Sequence, residues 1–82
     1  MSNLADEIRE HMHVHGSDDK HIGRVDRVVG EEIELAKLDI ETGLKHRYIP
    51  IDWVALIEGD KLVLSLTHDD AKARWTDAPR AR

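Results

Sequence analysis

Short segments in which apolar and polar residues alternate follow one another along most of this 82-residue chain. Alternation with a period of two is typical of half-buried β-strands, because successive side chains of a strand point to opposite faces. Strands are predicted at about 11–15, 21–29, 32–38, 45–49, 55–58 and 61–66. Five or six short antiparallel strands at this close spacing indicate a mainly β fold, a small barrel or curled sheet.

The segment 21–29 departs from strict alternation, because its apolar residues Ile22 and Val25 are three positions apart. Gly23 offers an explanation, since a β-bulge at this glycine lets both apolar side chains face inward. Further along, Gly59-Asp60 predicts a two-residue turn that closes a hairpin. These irregularities fit the bends that a small, strongly curved sheet requires.

A helix is predicted at each end of the strand-rich region. Asn3 is placed to cap a short N-terminal helix that runs through about Glu10. Thr67 is placed to cap a C-terminal helix at about 68–76, and Asp70 three residues later completes a capping box.

Length and composition limit the chain to one domain, 1–82, with the barrel at about 8–67 and a frayed tail at 77–82. A domain of this size buries roughly 60–65% of its unfolded surface, so the core is thin. The chain has no cysteine, which excludes a disulfide or a cysteine-based metal site. Neither a signal peptide nor a membrane span is visible, and the cytoplasm is the expected location.

The net charge is −5 with the six histidines neutral, and an acidic domain repels the phosphate backbone of nucleic acids. Protonation of all six histidines changes the formal charge from −5 to +1. Much of that change falls near pH ~6.5 if the histidines are unperturbed. The charge therefore excludes nucleic acid as the expected partner and leaves a pH response open.

Three segments resemble elements of PRC-barrel domains. His21–Val28 resembles their "h-G-x-V-x-x-V" strand, Tyr48–Val54 their "I-P-x-x-x-V" element, and Leu62–Ser65 their closing strand. A group of short, uncharacterised bacterial proteins of this fold combines "HM-x-V", "G-x-V-D", "H-x-Y-I-P-x-D-W-V" and "L-x-L-S". All four motifs occur here in that order, over about residues 8–67.

This resemblance implies a PRC-barrel fold and a role in protein contact. PRC-barrels occur in the cytoplasmic domain of the photosynthetic reaction-centre H subunit and in a ribosome-maturation factor, where they act as contact modules. The function expected by analogy is a non-enzymatic interaction or adaptor module that associates with a protein partner or with itself as a homodimer. The sequence predicts no counterpart of the membrane helix of the reaction-centre subunit, so the role of that subunit is not the one expected here.

Histidines at alternate positions are the first candidate for chemistry. His11, His13 and His15 share one face of the predicted strand, about 6.5–7 Å apart along it. His21 lies across the hairpin as a further possible ligand of a weakly bound divalent metal. The alternative is a solvated strand face that is rich in histidine.

Acid–base chemistry is the second candidate, since Asp18, Asp19, Asp26 or Asp52 could pair with a histidine. Nothing in their spacing makes them converge, and the first two are more simply turn formers. No serine has the context of a nucleophile, and the scattered glycines form no phosphate loop. We therefore expect no catalytic residue, no cofactor and no enzyme activity.

The two tryptophans are the candidates for a contact surface. Because the chain has no Phe, Trp53 and Trp75 supply most of its aromatic surface. One interpretation is structural, with Trp53 filling one end of the barrel and Trp75 docking the last helix. The other is that both anchor an interface, because tryptophan is enriched at binding hot spots.

Overall fold

The computed structural model describes residues 4–36 and 46–78, and the strands in these residues form a single six-stranded sheet. The strands are β1 (His13–His15), β2 (His21–Val29), β3 (Glu32–Leu35), β4 (Arg47–Pro50), β5 (Val54–Glu58) and β6 (Lys61–Leu64). The helical segments are α1 (Leu4–Glu7), a 3₁₀ turn at Ile51–Trp53, and α2 (His68–Arg74). The predicted mainly β class is confirmed. Sequence predictions for residues 37–45 and 79–82 lie outside the described residues.

The strand order β4-β3-β2-β1-β6-β5 and the short connection between the two edge strands together require the sheet to curl. Its two outermost strands, β4 and β5, are consecutive in the chain and are joined by the 3₁₀ turn alone. Three residues of 3₁₀ helix span about 6 Å, so both ends of the sheet come close together. Among the described residues no ladder pairs β4 with β5, so the structure shows an open, curled sheet and not the predicted closed barrel.

One strand pair departs from the predicted antiparallel arrangement. β1 runs parallel to β6, with Val14 opposite Leu62, while the other neighbouring pairs are antiparallel. A parallel pair needs a long crossover, and the intervening strands β2 to β5 provide it. Alternation alone does not reveal which segments become neighbours, and this prediction was wrong for that reason.

The pairing of β2 shifts register on both of its sides, and such bulges bend a strand. The register between β1 and β2 shifts after Val14, which lies opposite Gly23, while His15 lies opposite His21. Ile22 is the extra residue, and Ile22 and Val25 are both fully buried. The bulge predicted beside Gly23 is therefore confirmed.

The core lies inside the curled sheet and is almost entirely aliphatic. Each fully buried Leu or Ile contributes about 1.5–3 kcal/mol relative to an exposed one. Among the described residues, the buried apolar ones are Ile8, Met12, Val14, Ile22, Val25, Ile33, Leu35, Ile49, Ile51, Val54, Leu62, Leu64 and Ala71.

The N-terminal helix is much shorter than predicted. α1 is a single turn that ends at Glu7, and the proposed cap at Asn3 lies outside the described residues. Ile8 enters the core, and His11 adopts a positive φ of 71° while its N–H donates to the Val25 carbonyl at 2.8 Å. The chain is therefore tied to β2 before a longer helix can form, and β1 begins at His13 instead of position 11.

The C-terminal helix is capped as predicted, because the Thr67 hydroxyl accepts a hydrogen bond from the Asp70 N–H at 3.2 Å. After α2 the chain returns to the sheet. Thr76 and Tyr48 exchange two backbone hydrogen bonds of 2.8 and 3.1 Å, which covers part of the outer edge of β4. No helix among the described residues is long and apolar enough to span a membrane.

Candidate functional site

The predicted histidine face is only partly assembled. The ring of His21 lies edge-on to both His13 and His15, with ring centres 6.0 and 5.6 Å apart. His11 precedes β1, and its side chain is exposed beside Glu10. The structure therefore groups three of the four predicted metal ligands and leaves His11 apart.

The contacts of His15 tie this face to the turn between β1 and β2. Its Nδ1 lies 3.0 Å from the Asp19 carbonyl oxygen and 3.4 Å from the Asp19 carboxylate. Lys61 Nζ approaches the same carboxylate at 3.2 Å. Within residues 4–36 and 46–78, the three histidine rings do not form a group with the ligand-atom spacing of a metal site.

Both tryptophans are half-buried and pack against the core. Trp75 follows α2, and two cations approach its ring, with the Arg47 guanidinium carbon 5.2 Å and Lys72 Nζ 5.6 Å from the ring centre. The Trp53 carbonyl accepts hydrogen bonds from the N–H and the hydroxyl of Ser65. These contacts favour the structural interpretation for both residues, and the interface role stays a prediction.

A second group of polar residues lies on the opposite face of the sheet from the core. We name it the carboxyl cluster, and it consists of Asp26, Arg27, Glu34, His46 and Tyr48. The β2–β3 register shift places Asp26 as an extra residue between Val25 and Arg27. Glu34 lies opposite Arg27 on one side and Tyr48 on the other, so three neighbouring strands supply the cluster.

Glu34 is the centre of the cluster, and its side chain is only 5% exposed. Arg27 Nε donates to Glu34 Oε1 at 3.2 Å, and the Tyr48 hydroxyl donates to Oε2 at 2.5 Å. His46 Nδ1 lies 3.0 Å from the Leu35 carbonyl oxygen and 3.7 Å from Glu34 Oε1. One ligand atom each from Asp26, Glu34 and His46 lies within 4.8 Å of the other two.

A hydrogen bond joins the carboxyl groups of Asp26 and Glu34 and shifts their pKa values in opposite directions. The hydrogen bond to Glu34 raises the pKa of Asp26, and burial and the negative charge of Glu34 act in the same direction. Burial opposes ionisation of Glu34, but hydrogen bonds from Tyr48, Asp26 and Arg27 outweigh it and lower the pKa of that carboxyl. Of the two carboxyl groups, Asp26 therefore binds a proton more readily and Glu34 ionises more readily. The hydrogen bond to Glu34 also raises the pKa of Tyr48.

The sequence indicated Asp26 only as a possible partner for a histidine, and it did not indicate the rest of the carboxyl cluster. In Glu32–Leu35 the alternation predicts one buried and one solvated face, whereas all four residues are buried. His46 and Tyr48 are two positions apart, which places them on one side of β4. This spacing is the sequence feature that could have indicated part of the cluster. Chemically the cluster can hold a proton between two carboxyls or present oxygen and nitrogen ligands.

These features define a small, mainly β domain with a polar cluster around one buried glutamate, on the face of the sheet opposite the core. Residues 8–72 match the model of a bacterial family described as uncharacterised proteins conserved in bacteria (DUF2171), and the chain belongs to that family. This confirms the predicted membership of a bacterial family with a domain of unknown function. The chain matches no curated protein.

Proposed function

We propose that this protein is a non-enzymatic interaction module that associates with a second copy of itself through the outer edge of β5. One observation supports the proposal most directly: β5 is a terminal strand of the sheet and carries Leu56, which is 45% exposed. Among the described residues, Leu56 is the exposed large hydrophobic side chain. A sheet edge with an exposed apolar residue is suited to strand addition.

The hairpin geometry determines which backbone groups of β5 are available. Glu58 and Lys61 flank a two-residue turn in which Gly59 has φ of +58°, as a type II′ turn requires at its first position. Residues that flank such a turn form a hydrogen-bonded pair, and pairs alternate along the ladder. The N–H and C=O of Ile57 therefore point away from β6 and toward a partner strand.

An antiparallel pair of β5 strands centred on Leu56 has compatible side chains. Leu56 of one copy lies against Leu56 of the other, Ile57 lies against Ala55, and Glu58 lies against Val54. No like charges are opposite one another in this register, which matters because each chain carries a net charge of −5. The chemistry of the edge therefore fits a second copy of this chain.

The association is weak by this account. Two five-residue strands bury much less than the ~1,200 Å² of a stable interface. A dissociation constant on the order of 100 µM, about −5.5 kcal/mol, is consistent with such a contact. A thin core gives a small domain a reason to gain stability in this way, because association stabilises the folded chain.

We also propose that the curled sheet is a PRC-barrel and that the protein acts in the cytoplasm. The proximity of the two sheet ends across the 3₁₀ turn at Ile51–Trp53 supports the first proposal. The motifs at His21–Val28 and Tyr48–Val54 support it from the sequence. PRC-barrels act as contact modules, and this fold-level analogy agrees with the proposed association through the edge of β5.

Sedimentation velocity over about 5–300 µM tests self-association, because mass action shifts the equilibrium over this range around the proposed constant. We expect the wild type to show a concentration-dependent dimer fraction. Leu56→Arg should remain monomeric, because it places two cations opposite one another. Ala73→Arg, an equal charge change at an exposed position of α2, should dimerise like the wild type. A monomeric wild type at the highest concentration, or equal dimerisation of both variants, would overturn the proposal.

A further inference from the structure

We propose that Asp26, Glu34 and His46 form a binding site for a divalent transition-metal cation, with Zn²⁺ as its representative. Two carboxylate oxygens and one imidazole nitrogen are a ligand set that such cations take in proteins. The site is distinct from the histidines of β1, which lie on another part of the sheet.

The spacing of the three ligand atoms is close to what a metal needs. Zinc ligands at 2.0–2.2 Å in tetrahedral geometry lie about 3.3–3.6 Å from one another. The three ligand atoms here all lie within 4.8 Å of one another. Side-chain rotations that move each atom by about 1 Å bring them to the spacing of zinc ligands. Three separate segments supply them, since Asp26 lies in β2, Glu34 in β3 and His46 directly before β4.

The surroundings hold the central ligand in place. Glu34 receives hydrogen bonds from the Tyr48 hydroxyl and from Arg27 Nε, which are the kind of outer contacts that orient a metal-binding carboxylate. Only 5% of the Glu34 side chain is exposed, so binding of a metal to this carboxyl group displaces little solvent. The positions of Arg27 and Tyr48 are themselves determined by strand register.

The two carboxyl groups of the cluster also suit a divalent cation. Asp26 and Glu34 place carboxyl oxygens within 4.8 Å of one another, and one divalent cation can bind both. His46 must exchange its contact with the Leu35 carbonyl for the metal when Nδ1 is the ligand, because this nitrogen is the one that faces Glu34. We therefore expect micromolar and not nanomolar affinity.

Isothermal titration calorimetry with Zn²⁺ alone, in a non-coordinating buffer at pH 7, tests the site. We expect one equivalent to bind the wild type and at least tenfold weaker binding to Asp26→Asn and to His46→Gln. Asp52→Asn removes an exposed carboxylate and should bind like the wild type. The triple variant with glutamine at His13, His15 and His21 should also retain binding.

Absence of binding to the wild type at millimolar Zn²⁺ would overturn the site. The same conclusion follows if Asp26→Asn and His46→Gln keep full affinity, or if only the triple histidine variant loses binding. NMR line broadening of the wild type by Mn²⁺ requires no variant, so it tests the site even if a substitution prevents folding. Broadening centred on residues 26, 34 and 46 supports the proposal, and broadening confined to residues 13, 15 and 21 contradicts it.

Discussion

The hydroxyl of Tyr48 is expected to stabilise the fold although it lies outside the aliphatic core. Tyr48→Phe removes the donor that contacts Glu34 Oε2 and leaves the ring in place. Because the Glu34 side chain is only 5% exposed, water cannot replace the lost hydrogen bond fully. A hydrogen bond to a charged, buried group contributes roughly 1.5–3 kcal/mol, so we expect a loss of about 2 kcal/mol in the free energy of unfolding.

Urea unfolding followed by tryptophan fluorescence measures this loss, since Trp53 and Trp75 both pack against the core. A loss of ~2 kcal/mol corresponds to a decrease of roughly 8–16 °C in Tm for a domain of this size. Ser65→Ala is the matched control, because it also removes a hydroxyl that donates a hydrogen bond, but at an exposed position. We expect the control to change stability by less than about 0.5 kcal/mol.

A double-mutant cycle separates the contact from other effects of the substitution. Tyr48→Phe combined with Glu34→Gln should show a coupling energy of about 1 kcal/mol or more, as residues in one hydrogen-bonded network do. Additive effects of the two substitutions, or a loss below about 0.5 kcal/mol for Tyr48→Phe, would refute this interpretation of the carboxyl cluster.

Two further predictions concern the turn between β1 and β2, where it meets the start of α2. A Cβ at Gly16 would lie 2.5 Å from the His68 backbone nitrogen and 2.7 Å from Asp18 Oδ1. Gly16→Ala should therefore lower the free energy of unfolding in urea by about 1–3 kcal/mol. An unchanged unfolding midpoint would contradict this close approach. Desolvation opposes ionisation of Asp18, but hydrogen bonds from the His68 and Lys20 N–H groups lower its pKa below 3.8. Its stabilisation is therefore present above pH ~3.8 and lost as pH falls through the lowered value. Asp18→Asn should flatten the acid limb of the stability–pH curve, and an identical limb in both proteins would exclude this role.

Much of the local structure could be predicted because it depends on neighbours in the chain. Alternation located the strands, Gly23 indicated the bulge that lets Ile22 and Val25 both point inward, and Thr67 indicated the start of α2. Each of these features depends on a few consecutive residues. A pattern along the sequence is sufficient to reveal them.

The carboxyl cluster could not be predicted in the same way, because it depends on which strands become neighbours. Asp26 reaches Glu34 through a bulge that no glycine or proline marks, and Tyr48 joins through the β3–β4 register. The parallel pairing of β1 with β6 was missed for the same reason. Long-range register determines all of these contacts, and the sequence pattern contains no direct record of it.

Disulfide trapping at Leu56 tests self-association through β5 most directly, since the chain has no cysteine of its own. In the register centred on Leu56, two Leu56→Cys side chains form a non-hydrogen-bonded pair with Cα atoms about 4.5 Å apart, within disulfide reach. Glu58→Cys is the matched control, because two such residues lie about 13 Å apart in the same register.

The measurement is the rate of dimer formation by both variants at about 100 µM in a glutathione redox buffer, followed by non-reducing electrophoresis. We expect Leu56→Cys to cross-link at least about tenfold faster than Glu58→Cys, because association raises the effective thiol concentration at position 56 only. Equal rates for the two variants would contradict self-association through this edge.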